Sequence, residues 1–418
     1  MKKILWLCNN QFTEIKLTAT GGWLQPLAEL LQESGLVTIY NVTIGNVKSI
    51  QHNIYRGIEQ WILPLPKTTG YGQIPSAKFC KCISEIEAKI NPDLVHIWGT
   101  ESLWASAYSQ GAIKSKAFID IQGILSSYYY YYYGGLNFKD ILQCIHLKEV
   151  IMPWRTLFHK KEVFKQKGMT EKKCLKKFSI ISYQSEWVKN QLSFINPHAA
   201  YIPTKILLRD NFYTASPWTF KNKTATPTVF TTASGAIPYK GIHVVLKSIH
   251  LLKNIYPNIQ LRIAGEMKIG NWLLDGYAIY LQKQIKKLGI ESNVVCLGPI
   301  DAARIAEELR NANVCVIPSF IETYCLAFAE SMMVGTPTVA SFAGAMPELA
   351  EQGKECLFYN SMDFQTCAHY IDLLIKNKEL AEYISVNGRK KRLIENDKNL
   401  VLQTQLSNYE KIITILES

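Results

Sequence analysis

Short apolar runs that end on glycine or a polar residue recur along the chain, with longer amphipathic stretches between them. KILWLCNN, near the start, reads as a strand. TGGWLQPLAELLQESG then reads as a loop and a helix, with Leu24, Leu27, Leu30 and Leu31 at helical spacing and Gly35 as its stop. VTIYNVTI, PDLVHIWG, KAFIDIQG and FSIISYQS are further strands. Strands that alternate with helices in this way predict a doubly wound parallel sheet. From about Leu207 to Thr228 the alternation breaks: LLRDNFYTASPWTFKNKTATPT is polar, holds Pro217 and Pro227, and reads as a linker. A second series follows, with strands TVFTTAS, IQLRIAG, VVCLG, VCVIPS and TPTVAS and helices expected near Gly241, Asp275, Asp301 and Ala327. The expected organisation is a first domain over 1–208, a second over 209–395 and a final helical stretch over 396–418.

The densest chemistry lies in PSFIETYCLAFAESMMVGTPTVASFAGAMPE. A buried strand leads to a loop with Glu322 and then a helix with Glu330 near its start. Gly335 stops that helix and a second strand follows. Ligands of parallel α/β sheets bind outside the carboxyl ends of the strands. Two carboxylates placed there accept hydrogen bonds from polyol hydroxyls, and the intervening helix start favours an anion. Sugar hydroxyls beside a phosphate describe a nucleotide sugar.

This segment resembles the signature of the retaining glycosyltransferases of family 4. It has Glu322, Glu330, Ser331, then Gly335-Thr336-Pro337, a strand, and a Gly-rich turn with Gly344 that ends Pro347-Glu348. The match covers about thirty residues. The resemblance implies the GT-B fold: two Rossmann-like, doubly wound parallel-sheet domains facing a central cleft, the last helix crossing back to the first. It implies an acceptor-binding first domain and a donor-binding second one. Glu322 would hold the donor sugar and Glu330 the ribose. Lys240-Gly241 and the backbone at Cys325 and Leu326 would hold the diphosphate. Gly21 and Gly22, after the first strand, match a family Gly-Gly loop, and a plain turn is the other reading.

The chain departs from the family pattern in three places. The family places an arginine five residues before the lysine, where this chain has Gly235 or, with a loop one residue shorter, Ala236. Where many relatives have His-Gly after the FIDIQG strand, this chain has Gln122-Gly123; Gln122 can bond a hydroxyl but is no acid or base. His96 is the best-placed histidine of the first domain, as a catalytic group or as a buried structural one. Cys325 takes the place of a small residue between the glutamates. The chain has no Asp-x-Asp, the metal-holding motif of the other large glycosyltransferase fold, so Lys240 and helix N-termini are expected to serve instead, with no metal and no cofactor beyond the nucleotide-sugar donor.

Composition narrows the reading. The 48% hydrophobic content permits sizeable cores, and no apolar run reaches 18 residues, so no transmembrane helix is expected. The apolar core of the start, ILWLC, is too short for a signal peptide. The ten cysteines form no Cys-x-x-Cys pair, and Cys80 with Cys82 reads as packing, so reduced thiols in a cytosol are expected.

The net charge of +12 fits an anionic substrate or surface, and no nucleic-acid motif is present. Basic residues crowd Trp154 to Lys177, where Leu157, Phe158, Val163 and Phe164 interleave. Such a run is either a solvated face or an interfacial segment on anionic lipid. The six tyrosines Tyr128 to Tyr133 either pack inside or line an acceptor cleft. The expected protein is a cytoplasmic enzyme, peripheral on the inner face of the membrane. It would move a sugar from a UDP- or GDP-linked donor to a saccharide or polyprenyl-linked acceptor in capsule, O-antigen or exopolysaccharide assembly. The alternatives are a sugar-nucleotide 2-epimerase of GT-B fold and a catalytically degenerate binder.

Overall fold

The structure, a computed structural model, describes residues 1–14, 22–66, 68–69, 74–221, 225–233, 236–265 and 275–417. The chain divides into two compact units: Met1–Tyr129 with Val163–Leu207 and Asn396–Ser418, and Tyr130–Glu162 with Leu208–Glu395. Residues 130–162, which chain order assigns to the first domain, group with the second unit.

The strands of the first unit are β1 (Lys2–Leu7), β2 (Val37–Gly45), β3 (Gln51–Tyr55), β4 (Ile58–Pro64), the short pair β5 (Thr68–Thr69) and β6 (Ile74–Pro75), then β7 (Leu94–Trp98), β8 (Ala117–Asp120), β9 (Ile180–Tyr183) and β10 (Ala200–Pro203). Eight of them form one sheet in the order β10-β9-β8-β7-β1-β2-β4-β3, parallel except at the edge strand β3. Ile4 to Leu7 and Leu94 to Trp98 are buried on both faces, the pattern of strands covered by helices on each side. The Lys398–Glu417 helix belongs to this unit: Tyr409 Oη accepts from Trp6 Nε1 at 2.9 Å, and Asn396 Nδ2 donates to the Ile206 carbonyl.

The second unit adds β11 (Thr228–Ala233), β12 (Gln260–Gly265), β13 (Val294–Gly298), β14 (Val314–Ile317), β15 (Thr338–Ser341) and β16 (Leu357–Tyr359). Their order is β13-β12-β11-β14-β15-β16, all parallel. Strand order reverses between β11 and β14 here, and between β1 and β7 in the first sheet. Loops leaving neighbouring strands diverge at such points and leave a crevice at the carboxyl ends.

The 207–228 stretch is not a bare linker. It carries a short helix, Asp210–Tyr213, and Trp218 is buried against the second unit. The Trp218 indole donates to the Ala312 carbonyl at 2.7 Å, and its backbone N–H donates to Val334 O. One tryptophan with both donors satisfied outweighs the polar composition around it.

Candidate functional site

In the second unit, the loops that leave β11 and β14 flank the reversal of strand order. The loop after β11 closes in a single 3-10 turn, Pro238–Lys240, followed by Gly241. Gly241 has φ +73°, and a side chain there would run into the Pro318 carbonyl at 2.0 Å, so only glycine lets this turn lie against the end of β14. Phe320 N–H donates to the Tyr239 carbonyl at 2.7 Å, which ties the two loops together.

Lys240 and Glu322 therefore meet. Lys240 Nζ lies 2.6 Å from Glu322 Oε1, and the Ser319 hydroxyl donates to the same oxygen at 2.6 Å. Burial opposes the charge on Lys240, but the Glu322 carboxylate outweighs it and holds the ammonium above the usual lysine range. The Gly-rich turn seats this loop from the other side. Gly344, at φ +55°, lies so close that a side chain would strike the Glu322 carbonyl at 2.2 Å, and Ala345 N–H donates to that carbonyl.

Glu330 lies in the middle of the Leu326–Val334 helix rather than near its start. The carboxylate is buried, and Arg209 grips both oxygens, Nε and Nη2 each donating at 2.8 Å. Burial raises the Glu330 carboxyl pKa, and Arg209 opposes that rise. Each oxygen keeps a second lone pair for a ligand hydroxyl. Arg209 comes from the stretch that reads as linker, so no motif flagged it.

Cys325 caps that helix in the left-handed region, at φ +75° and ψ +79°, where glycine is at ease. Gly335 closes the helix at φ +87°, its N–H and that of Thr336 both donating to the Ser331 carbonyl.

The Lys240 turn has a buttress that sequence does not signal. His243 Nε2 lies 2.9 Å from the Gly134 carbonyl and Nδ1 lies 2.8 Å from Tyr277 Oη. A carbonyl only accepts, so Nε2 carries the proton and Nδ1 accepts from Tyr277. Burial, first, and then Lys247 push the His243 pKa down to about 3, which keeps the ring neutral. A side chain on Gly134 would strike the Pro238 carbonyl, and the Tyr132 ring meets the Tyr239 ring edge-on at 6.2 Å. The tyrosine run thus ends packed against the turn that carries Lys240: Tyr132 is buried, while Tyr130 and Tyr131 are exposed.

In the first unit, the equivalent loops follow β1, β7 and β8. Gly21 and Gly235 lie outside the described residues. Gly22 is half-buried, just before the Leu24–Glu33 helix. Gln122 follows β8 and donates to Asp120 Oδ1 at 3.0 Å. His96 has no exposed surface. Its ring stacks between Trp98 at 3.8 Å and Phe118 at 4.2 Å, its Nδ1 lies 3.0 Å from Tyr409 Oη, and burial holds its pKa well below the usual value. This is the setting of a structural histidine.

Glu101, which sequence reading passed over, lies at the end of β7. Its carboxyl sits between Gly99 and Gly123, where a side chain on either would collide with it. Burial, with Glu171 adding repulsion, pushes the Glu101 carboxyl up to about 7.

The part of the basic stretch that groups with the second unit is partly committed inside it. Lys160 pairs with Asp275 at 3.0 Å and Lys161 lies 4.3 Å from the centre of the Tyr133 ring. Among the described residues, no helix is long and apolar enough to cross a membrane.

Residues 218–391 match the family model of the glycosyl transferases group 1. This part of the chain is similar to that family. Protein CapJ of Staphylococcus aureus is 31% identical over 180 residues, 42% of this chain and 43% of that protein. The uncharacterized glycosyltransferase YqgM of Bacillus subtilis is 27% identical over 42% of this chain and 47% of its own length. The chain thus matches less than half the length of these curated relatives.

Among solved structures, sucrose-phosphate synthase of Thermosynechococcus elongatus superposes with a TM-score of 0.74 at 16% identity, covering 99% of this chain and all of that one. Anabaena HepE, solved with UDP and glucose, gives a TM-score of 0.68 at 16% identity over 98% of this chain and 100% of its own. These likenesses establish the fold: the two doubly wound units have the GT-B fold.

Proposed function

We propose that the group 1 unit binds a UDP- or GDP-linked sugar at the β11–β14 reversal and that the protein transfers this sugar, with retention, to a saccharide or lipid-linked saccharide. The observation that carries the reading is the pairing of Lys240 with Glu322 beyond the ends of β11 and β14, where a ligand crevice is expected, with the Arg209-held Glu330 on the helix that follows. A nucleotide-sugar donor is further supported by HepE, solved with UDP-glucose.

In this reading Lys240 turns from Glu322 to the diphosphate, as an ammonium aimed at the leaving group's growing charge. The amides at Cys325 and Leu326 add the positive end of the helix. Glu322, released from Lys240, accepts from the donor sugar's hydroxyls. Glu330 accepts from the ribose, its orientation fixed by Arg209. The bond from the sugar's anomeric carbon to the phosphate oxygen breaks and one to the acceptor oxygen forms on the same face. The acceptor's proton passes to the departing phosphate oxygen. Gln122 and Glu101 bond acceptor hydroxyls from the first unit. A lipid-linked acceptor, a place in cell-surface polysaccharide assembly and work at the inner membrane face are further parts of this proposal, supported by the family resemblance and by an exposed apolar surface at Leu147 to Trp154.

The test is transfer from labelled UDP- and GDP-sugars into a membrane lipid extract and into soluble oligosaccharide, with and without EDTA. Product with one donor, retained configuration and survival in EDTA is the expected result. Release of free nucleotide with an epimerised sugar and no acceptor dependence contradicts the transfer reading. Loss of product on chelation, restored by a divalent metal, contradicts the role given to Lys240.

A further inference from the structure

The short helix Leu147–Ile151 is built inside out. Its acid, Glu149, is 1% exposed, while Leu147, Val150 and Ile151 are 75%, 65% and 64% exposed. The orientation is locked from the inner side. Glu149 accepts from His146 N–H at 3.1 Å, and its carboxyl lies against Gly276, the first residue of the Gly276–Lys287 helix. His146 Nδ1 is 3.4 Å from Lys283 Nζ on that same helix. Turning the apolar face inward would strip Glu149 of this seat and leave a carboxylate in the open with its capping bond broken.

The exposed face continues past the helix. Trp154 is 60% exposed, and on the preceding helix Phe138 is 66% exposed. The Phe138 and Phe158 rings lie 6.1 Å apart, so the two ends of the segment meet. A run of this kind is rare on a protein that faces water alone.

Its surface charge leans positive. Between Phe138 and Arg155 the acids are Asp140 and Glu149. Glu149 is buried, which leaves Asp140, in the capping box of its own helix, as the acid near the surface. Of the basic residues, Lys148 has its Nζ buried, so the cations beside this face are Lys139 and Arg155. An apolar face with an interfacial tryptophan, rimmed by cations, is complementary to a bilayer with anionic headgroups.

We infer that this face, Leu147 to Trp154 with Phe138 beside it, is the surface by which the second unit docks on anionic lipid. The docking surface lies ahead of the lysine-rich helix, whose Lys160 and Lys161 are engaged within the unit. The inference gives the peripheral reading of the previous subsection a place, and it rests on that reading for its purpose but not for its measurement.

The experiment is co-sedimentation of the full chain with vesicles of phosphatidylcholine alone and with phosphatidylglycerol added. The proteins are wild type, L147Q/V150Q/I151Q/W154Q and K139E/R155E. All these side chains except Lys139 and Arg155 are apolar groups already in water, so folding should survive, and a thermal melt checks it. Wild type should partition onto the anionic vesicles at least tenfold more strongly than either variant, and more strongly than onto neutral ones. If the quadruple variant does not fold, vesicles with brominated acyl chains replace it: they should quench wild-type tryptophan fluorescence more than that of Trp154→Phe.

Equal binding by all three proteins, no binding by wild type, or equal quenching overturns the inference. So does a lipid-free wild-type dimer that the quadruple variant loses, since the face would then meet a second copy. Transfer to a soluble acceptor uses no vesicle and should be the same in wild type and variants, so failure of docking and failure of the transferase reading are told apart.

Discussion

In the second unit, charged groups meet in pairs: the loops after β11 and β14 join Lys240 to Glu322, and Arg209, ahead of β11, joins Glu330 on the Leu326–Val334 helix. In the first unit, the loops after β7 and β8 also carry titratable groups beside a reversal of strand order. The histidine of β7 itself stacks with aromatic rings, and on the loop after it the carboxyl of Glu101 is held toward its neutral form. The same topology thus serves two ends. One set of loops carries paired charges, which in the proposed function meet the donor; the other carries neutral hydrogen-bonding groups, which in that proposal meet an acceptor hydroxyl. Only the first set follows a family signature, and the family match covers only that part of the chain.

The comparison breaks most readily at Lys240. Lys240→Ala removes the cation proposed for the leaving group, and kcat/KM for the donor should fall by about 100- to 1000-fold, the cost typical of losing one such donor. Gln122→Ala, in the other unit, should lower turnover by roughly tenfold and leave donor affinity unchanged, as loss of a single hydrogen bond of about 1.5 kcal/mol does. Steady-state kinetics with the donor varied separates the two.

Arg209→Ala leaves Glu330 buried with its charge unpaired. Removing one partner of a buried ion pair costs about 3–5 kcal/mol, and because Arg209 is itself partly exposed the lower end is expected. Denaturant unfolding reads this, and a loss below about 1 kcal/mol would mean that the clamp is ornamental.

Two buried groups, one in each unit, should also answer acid with opposite signs. The Glu101 carboxyl is raised from 4.5 to about 7, so between those values the folded state holds a proton that the unfolded chain does not, and stability rises as pH falls. The His243 ring is lowered from 6.5 to about 3, so over that window the unfolded chain holds the extra proton, and stability falls as pH falls. Each slope is at most about 1.4 kcal/mol per pH unit. Between pH 6.5 and 5, Glu101→Gln should steepen the loss of stability and His243→Gln should flatten it. Slopes that match wild type would contradict both assignments.

The smallest effect is expected at Cys325. Cys325→Gly relieves a left-handed residue, worth about 1 kcal/mol, but frees the unfolded chain by about 0.4–1 kcal/mol. Stability should change by less than about 1 kcal/mol, and nucleotide affinity should not move.

The part of this site that was legible in sequence is the part made of backbone constraints and buried strands. Gly241 and Gly344 stand where a side chain would strike a carbonyl, and VCVIPS and TPTVAS are strands with no exposed face. Two paired features had no local signal. Arg209 reaches Glu330 across 121 positions of sequence. The Gly134 carbonyl reaches His243 across 109. Residues 130–162 join the second unit through such contacts, which periodicity along the chain does not encode.

The β3–β4 hairpin was also missed. Its turn is Arg56-Gly57, both at positive φ, where Asn-Gly would have signalled it. His96 read equally as a ligand and as core, and only the rings packed on either side of it distinguish the two.

The central claim is that the second unit holds the nucleotide through the glutamate, lysine and arginine set, and calorimetric titration of UDP and GDP tests it most directly. One of the two nucleotides should bind wild type. Lys240→Ala and Glu330→Ala should each weaken that binding by roughly tenfold to a hundredfold, from a lost charged hydrogen bond of about 1.5–3 kcal/mol. Gln122→Ala should bind as wild type does. If neither nucleotide binds, or if Lys240→Ala and Glu330→Ala bind as tightly as the unaltered chain, the site is not where this account puts it.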